Sequence, residues 1–110
     1  MNIEIDGTII ALDPEGYLRD LNQWTPSVAE YLAQQEGISL SEEHWEIIDV
    51  LREFYHNFEQ SPAMRPLVKA TGIKLGPEKG KSIHLMRLFP ESPAKVGARI
   101  AGLPKPTNCL

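Results

Sequence analysis

The sequence predicts a mainly α-helical fold: a small helical bundle with a helix-turn-helix-like corner, an N-terminal β-hairpin and a flexible C-terminal arm. Three patterns point to it. A hydroxyl residue followed by proline occurs at Thr25-Pro26, Ser61-Pro62 and Ser92-Pro93. Such pairs mark helix starts, because the hydroxyl caps a free backbone N–H and proline at the first helical position gives up an N–H that has no partner there. Between Glu42 and Gln60, apolar residues return at three- and four-residue spacing, the stripe of a helix that buries one face. Finally, Pro104 and Pro106 stand near the end of the chain, where they cannot continue a helix and hold the backbone extended. The expected organisation is a helical domain with its hairpin over 1–102 and an arm over 103–110.

The elements follow in order. Ile3 to Ile5 and Thr8 to Leu12 flank Asp6-Gly7, the pair that suits the left-handed backbone of a two-residue hairpin turn. The hairpin is too small to be stable alone, so its apolar face should lie on the helices. Asp13-Pro14-Glu15-Gly16 reads as a turn, and residues 17–24 as irregular with a short helical turn. Thr25-Pro26 opens a helix carrying Val28, Tyr31 and Leu32, closed by Gly37. Ser41 opens the longest helix, Glu42 to Gln60, expected to be the core helix. Its apolar stripe is Ile47, Ile48, Leu51, Phe54, Tyr55 and Phe58, and Glu42, Glu43 and Glu46 suit the positive end of its dipole. Ser61-Pro62 should start the next helix, stopped by Gly72, with Met64, Leu67 and Val68 inward. Glu78 to Leu88 reads as helical, with Ile83, Leu85, Met86 and Leu88 apolar, and Pro93 to Ala101 as a last helix carrying Val96 and Ile100.

With 110 residues and 42% hydrophobic content, one domain with a modest core is expected. No apolar run approaches the ~20 residues that span a bilayer, no secretory signal is visible, and one cysteine cannot form an internal disulfide, so a reducing cytoplasm and no membrane association are expected. The net charge of −4 hides a polarity: residues 1–60 hold 13 acidic and 2 basic side chains, and residues 61–110 hold 2 and 9. The positive half could steer partners, or the two halves could attract each other within the fold; both readings stand at this level.

Little in the chain suggests bound metal or cofactor. His44, His56 and His84 lack ligand spacing and read as surface or helix-end residues. Gly76 to Gly80 lacks the strand and the Lys-Ser/Thr of a phosphate loop. No cofactor and no metal are therefore expected. The Ser61-Pro62 corner, with Arg65 and Lys69 on the helix after it, resembles a helix-turn-helix, though a plain helical corner explains it as well and the acidic helix before it would repel a DNA backbone.

The arm carries the only cysteine, which reads either as an incidental or buried thiol or as a reactive one. Gly102 gives it a defined start, its prolines reduce the conformations lost on docking, and Cys109 should stand on the order of 20 Å beyond the last helix. A thiol there can reach into another protein's pocket. Lys105 and Arg99 favour a thiolate, and the terminal carboxylate opposes them.

Specific blocks of residues then resemble one family. Glu36-Gly37-Ile38-Ser39-Leu40-Ser41-Glu42-Glu43-His44-Trp45, Ser61-Pro62-Ala63-Met64-Arg65, Leu88-Phe89-Pro90 and above all Arg99-Ile100-Ala101-Gly102-Leu103-Pro104-Lys105-Pro106-Thr107-Asn108-Cys109-Leu110 are similar to the DsrC/TusE family. The likeness covers nearly the whole chain. It implies a sulfurtransferase in which Cys109, as the catalytic residue, accepts a sulfane sulfur as a persulfide and passes it on. DsrC proper carries a second cysteine where this chain has Ala98, and without it no disulfide or trisulfide can form within the arm. The single-cysteine pattern resembles the TusE branch, a relay for 2-thiolation of the tRNA wobble uridine. That branch implies a donor complex of TusBCD (DsrEFH-like) type and an acceptor thiouridylase of MnmA type, with or without its tRNA. Lys95, Arg99 and Lys105 would guide docking of the arm or favour the anionic sulfur, or else be solvated surface. The other readings are a DsrC-like carrier in dissimilatory sulfur metabolism and, in another class, a helix-turn-helix nucleic-acid binder.

Overall fold

The computed structural model describes residues 1–107. Strands β1 (Asn2–Ile5) and β2 (Thr8–Ala11) pair antiparallel with Ile3 opposite Ile10. Asp6 and Gly7 turn between them with φ of 50° and 81°, the two left-handed residues that a tight hairpin requires. Ile3 and Ile10 are buried. The Asp13 carboxylate then accepts from the backbone N–H groups of Glu15 and Tyr17, both at 2.9 Å, which fixes the expected turn. Residues 17–24 form an isolated bridge between Leu18 and Leu12 and a 3-10 turn at Leu21–Gln23.

Five α-helices follow among the described residues: α1 (Pro26–Gln35), α2 (Glu42–Phe58), α3 (Met64–Leu75), α4 (Ser82–Leu88) and α5 (Pro93–Ile100). The Thr25, Ser41 and Ser92 hydroxyls cap α1, α2 and α5 as their sequence positions require. At α2 the cap is reciprocal. His44 Nδ1 accepts from the Ser41 N–H at 3.1 Å, leaving its Nε2 to donate to the Leu88 carbonyl at 2.8 Å. One imidazole thus ties the start of α2 to the end of α4.

Several expectations are corrected. Ser61 does not start α3: its N-cap is Ala63, with no side-chain cap, because the Ser61 hydroxyl donates instead to the Pro104 carbonyl at 2.6 Å. Gly72 does not stop α3. It lies inside the helix where Gly80 packs against it, so close that a Cβ on Gly80 would stand 2.4 Å from the Gly72 Cα. Gly76, with φ of 103°, makes the stop, and the tight return it begins keeps residues 78–81 out of α4. Phe58, expected on the inward stripe of α2, lies at its end and is 60% exposed, and of the apolar residues noted in α4, Ile83 and Met86 are exposed while Leu85 and Leu88 are buried. His84, expected at the surface, is buried.

The largest correction concerns the centre. α2 supplies buried Ile47, Ile48, Val50 and Leu51, but the short α5 touches α1, α2, α3 and α4. Pro93, Ala94, Val96, Gly97, Ala98 and Ile100 are all buried. Small residues permit this: a Cβ on Gly97 would stand 2.9 Å from a Leu51 methyl, so α2 approaches to the backbone itself. No helix among the described residues is long and apolar enough to cross a membrane.

Candidate functional site

The end of α5 is where the arm begins, and a built cluster fixes it. Gly102 has φ of 75°, a conformation glycine adopts without penalty. The Trp24 indole lies against it, 2.2 Å from where a Cβ would be. The indole Nε1–H donates to the Ile100 carbonyl at 2.9 Å, and Arg52 Nη1 donates to the Ala101 carbonyl at 2.7 Å. The Arg52 guanidinium lies 3.9 Å from the Trp24 ring centroid, a cation–π contact that holds both donors in place. Trp24 and Arg52 together satisfy carbonyls left open at the helix end, where four such groups lack partners inside the helix.

Beyond Gly102 the chain is extended, as its prolines dictate, but residues 103–107 do not project from the body. The Leu103 N–H returns to the Ala98 carbonyl at 2.9 Å, Leu103 joins the hydrophobic core and Pro106 is buried. Ser61 holds the Pro104 carbonyl, and Lys105 Nζ reaches the Glu15 carboxylate at 2.8 Å. The physical reason is that Leu103 buries more favourably against α2 and α5 than in water, and each polar group on the way finds a partner. Thr107 lines a depression of about 150 Å³ with Phe54, Pro62, Ala63 and Pro66, beside the start of α3. Cys109, the residue expected to carry the chemistry, lies with Asn108 and Leu110 outside the described residues.

Of the three basic residues expected near the arm, two are engaged within the chain. Arg99 pairs with Glu36, and its guanidinium lies 5.2 Å from the Tyr17 ring. The Tyr17 hydroxyl donates to the Lys95 carbonyl at 3.3 Å; burial raises the Tyr17 pKa, and the Arg99 charge works against that rise. Lys105 pairs with Glu15, whose hydrogen bond and charge raise the lysine pKa. The Lys95 side chain is half-buried and makes no ion pair among the described residues. Lys74 with Glu53 and Lys79 with Glu46 complete the lysine and arginine pairs among the described residues. All four join a base from 61–110 to an acid from 1–60, so much of the charge polarity in the sequence is attraction inside the fold.

Trp24, Arg52 and Ser61 were not anticipated at this site. A tryptophan in the irregular 17–24 stretch and one of only two basic residues in the first 60 were the available signals. Ala98 is fully buried in α5, and its carbonyl takes the Leu103 N–H at the root of the arm.

These features define a class, a helical domain that anchors the root of a C-terminal peptide. The comparisons place the class within one family. The model described as "DsrC like protein" matches residues 4–110. Sulfurtransferase TusE of Escherichia coli strain K12 is 52% identical over 105 residues, covering 96% of each chain. The NMR structure of Allochromatium vinosum DsrC superposes with a TM-score of 0.90 at 54% identity, over 99% of this chain and 97% of that one. The oxidized gamma-subunit of dissimilatory sulfite reductase (DsrC) from Archaeoglobus fulgidus gives 0.87 at 39% identity, over the full length of both. The chain belongs to the DsrC-like family.

Proposed function

We propose that this protein is a sulfurtransferase of the TusE type, a single-thiol carrier in which Cys109 receives sulfane sulfur and hands it on for tRNA wobble-uridine 2-thiolation in the cytoplasm. The observation that carries the reading is the C-terminal block from Arg99 to Leu110, whose penultimate residue is the only cysteine, on a body that fixes its root at Trp24, Arg52 and Ser61. Similarity of about half the residues to sulfurtransferases named TusE supports it.

The chemistry balances without an oxidant. The Cys109 thiolate attacks the outer sulfur of a persulfide on the donor, of TusBCD (DsrEFH-like) type. The donor's S–S bond breaks, the donor cysteine leaves as thiolate, and a new S–S bond forms on Cys109. A thiolate of the acceptor, a MnmA-type thiouridylase, then attacks the outer sulfur and releases Cys109. The carrier supplies a nucleophile and reach; general acids, metal and substrate cavity belong to the partners. Arg99 and Lys105 act as positioning residues that hold the root of the arm through Glu36 and Glu15, and Lys95 remains available to a partner.

Overall identity does not separate the tRNA branch from DsrC-like carriers of dissimilatory sulfur metabolism, since both lie near one half. Ala98 favours the former, because a cycle needing two thiols on one chain is closed to it. The test is mass spectrometry after incubation with a persulfide donor. The wild-type chain should gain one sulfur atom, removable by reductant, and Cys109→Ser should gain none while keeping its helical circular dichroism. An equal gain in the serine variant overturns the reading.

A further inference from the structure

We propose that the groove between α2 and α3, together with the cations on its α3 bank, is the surface on which a protein partner of the arm docks, and that this partner presents an apolar ridge flanked by carboxylates. The proposal rests on the sulfur-carrier reading above. The groove has a volume of about 240 Å³ and is lined by Val50, Phe54, Phe58, Ala70 and Ile73, with Glu53 and Lys74 paired across it. Phe58 and Ile73 leave most of their apolar surface in water, 60% and 78% exposed. Bare side chains of this size grouped along one groove mark an interaction surface.

Two further observations fix its role and its occupant. Phe54 lines both this groove and the depression beside Thr107, so the groove runs up to the last described residue of the arm. A partner that takes the arm meets this face. On α3, Arg65, Lys69 and Ile73 recur every four residues and are all exposed, one row of a helix with 3.6 residues per turn. Lys74, Lys79, Arg99 and Lys105 all have carboxylate partners, whereas Arg65 and Lys69 have none among the described residues. In a chain of net charge −4, these two present positive charge beside uncovered apolar surface, and the complement is carboxylate around an apolar ridge. A nucleic-acid backbone fits less well: phosphates leave Ile73 and Phe58 uncovered, and the opposite bank carries exposed Asp49 and Glu53, which repel a polyanion.

The experiment uses the full-length protein, the TusBCD-type donor complex and the MnmA-type thiouridylase purified from the same organism, and unmodified tRNA as a separate probe. Affinities are measured at low and moderate salt for wild type, for the double variant Arg65→Glu/Lys69→Glu and for Ile73→Asp. Loading of Cys109 by inorganic polysulfide serves as the control that needs no docking. The expected result is an affinity for at least one of the two proteins lowered about tenfold by the double reversal, with a flatter salt dependence. Ile73→Asp should weaken the same complex at both salts, with polysulfide loading unchanged. Should the double variant lose its native circular dichroism, Arg65→Gln/Lys69→Gln decides in its place, with a smaller loss expected. The proposal is overturned if both protein affinities stand, if only tRNA binding falls, or if wild type loads sulfur yet binds neither protein. A wild-type chain that polysulfide fails to load overturns the sulfur-carrier reading, and the proposal with it.

Discussion

The N-terminal hairpin and residues 103–107 at the root of the C-terminal arm are secured in opposite ways. The N-terminal hairpin holds itself: β1 and β2 satisfy each other's backbone groups, and Asp6-Gly7 turns in open space, with nothing within 4 Å of a Cβ placed on Gly7. The root of the C-terminal arm has no ladder. Its carbonyls are satisfied one at a time by side chains brought from far along the chain, Trp24, Arg52 and Ser61. A ladder forms and melts as a unit. A row of separate side-chain contacts can be loosened step by step, which is what the proposed relay would ask of residues 103–107.

Breaking the comparison at its glycines should give the largest effect. Gly7 and Gly102 both have positive φ, 81° and 75°, but only Gly102 lies under Trp24. Gly7→Ala should cost about 1 kcal/mol, the penalty of left-handed backbone for an L-residue. Gly102→Ala adds displacement of a packed indole and should cost about 3 kcal/mol or more. Urea denaturation of both variants checks this, and equal losses would show that Trp24 does not clamp the root. Next in size, Arg52→Ala removes both the bond to the Ala101 carbonyl and the cation–π contact that steadies Trp24, for about 1–2 kcal/mol. Trp24 fluorescence should shift with it. A variant with unchanged emission and unchanged midpoint would place the anchoring elsewhere.

Ser61→Ala should cost about 1 kcal/mol through the lost bond to the Pro104 carbonyl. Its sharper readout is local: hydrogen exchange at the Leu103 amide should quicken while the amides of the hairpin do not change. If both ends quicken alike, the arm is not a separately releasable unit. The smallest effect belongs to Lys105. Its pKa is raised in the folded protein, first by the hydrogen bond it donates to Glu15 and then by that carboxylate's charge. The stabilising contribution is therefore fully present below the unfolded lysine value of about 10.4 and fades as pH rises through the higher folded value. Proteolytic cleavage within 103–107 should be constant from pH 7 to 9 in wild type and only slightly faster in Lys105→Met, as befits an exposed pair. A steep change across that neutral window would point to another titrating group.

What could be read from the sequence was whatever depends on neighbours in the chain. Asp6-Gly7, Thr25-Pro26 and Ser92-Pro93 act locally, and the structure places the hairpin, α1 and α5 where they indicate. Ser61-Pro62 looked the same but misled, because the hydroxyl has a stronger claim from Pro104, 43 positions away. The central place of α5 was hidden because Ala94, Gly97 and Ala98 help through their smallness, which no count of large apolar residues registers. The charge polarity was visible, but which charges cancel was not: the partners of Arg99 and Lys105, Glu36 and Glu15, are 63 and 90 positions distant. Cys109 is proposed from the resemblance of the C-terminal block, whereas the side chains that hold the root of that block belong to the fold alone.

A sulfur carrier of the proposed kind needs a body that holds the arm's root and a Cys109 thiol open to other molecules. The most direct measurement is the rate of Cys109 alkylation in the native protein, set beside the rate in the urea-unfolded chain and beside Leu103 amide protection in the same sample. Rates within a few-fold of each other, together with a protected Leu103 amide, are the expected result. A native thiol alkylated orders of magnitude more slowly than the unfolded one would contradict it.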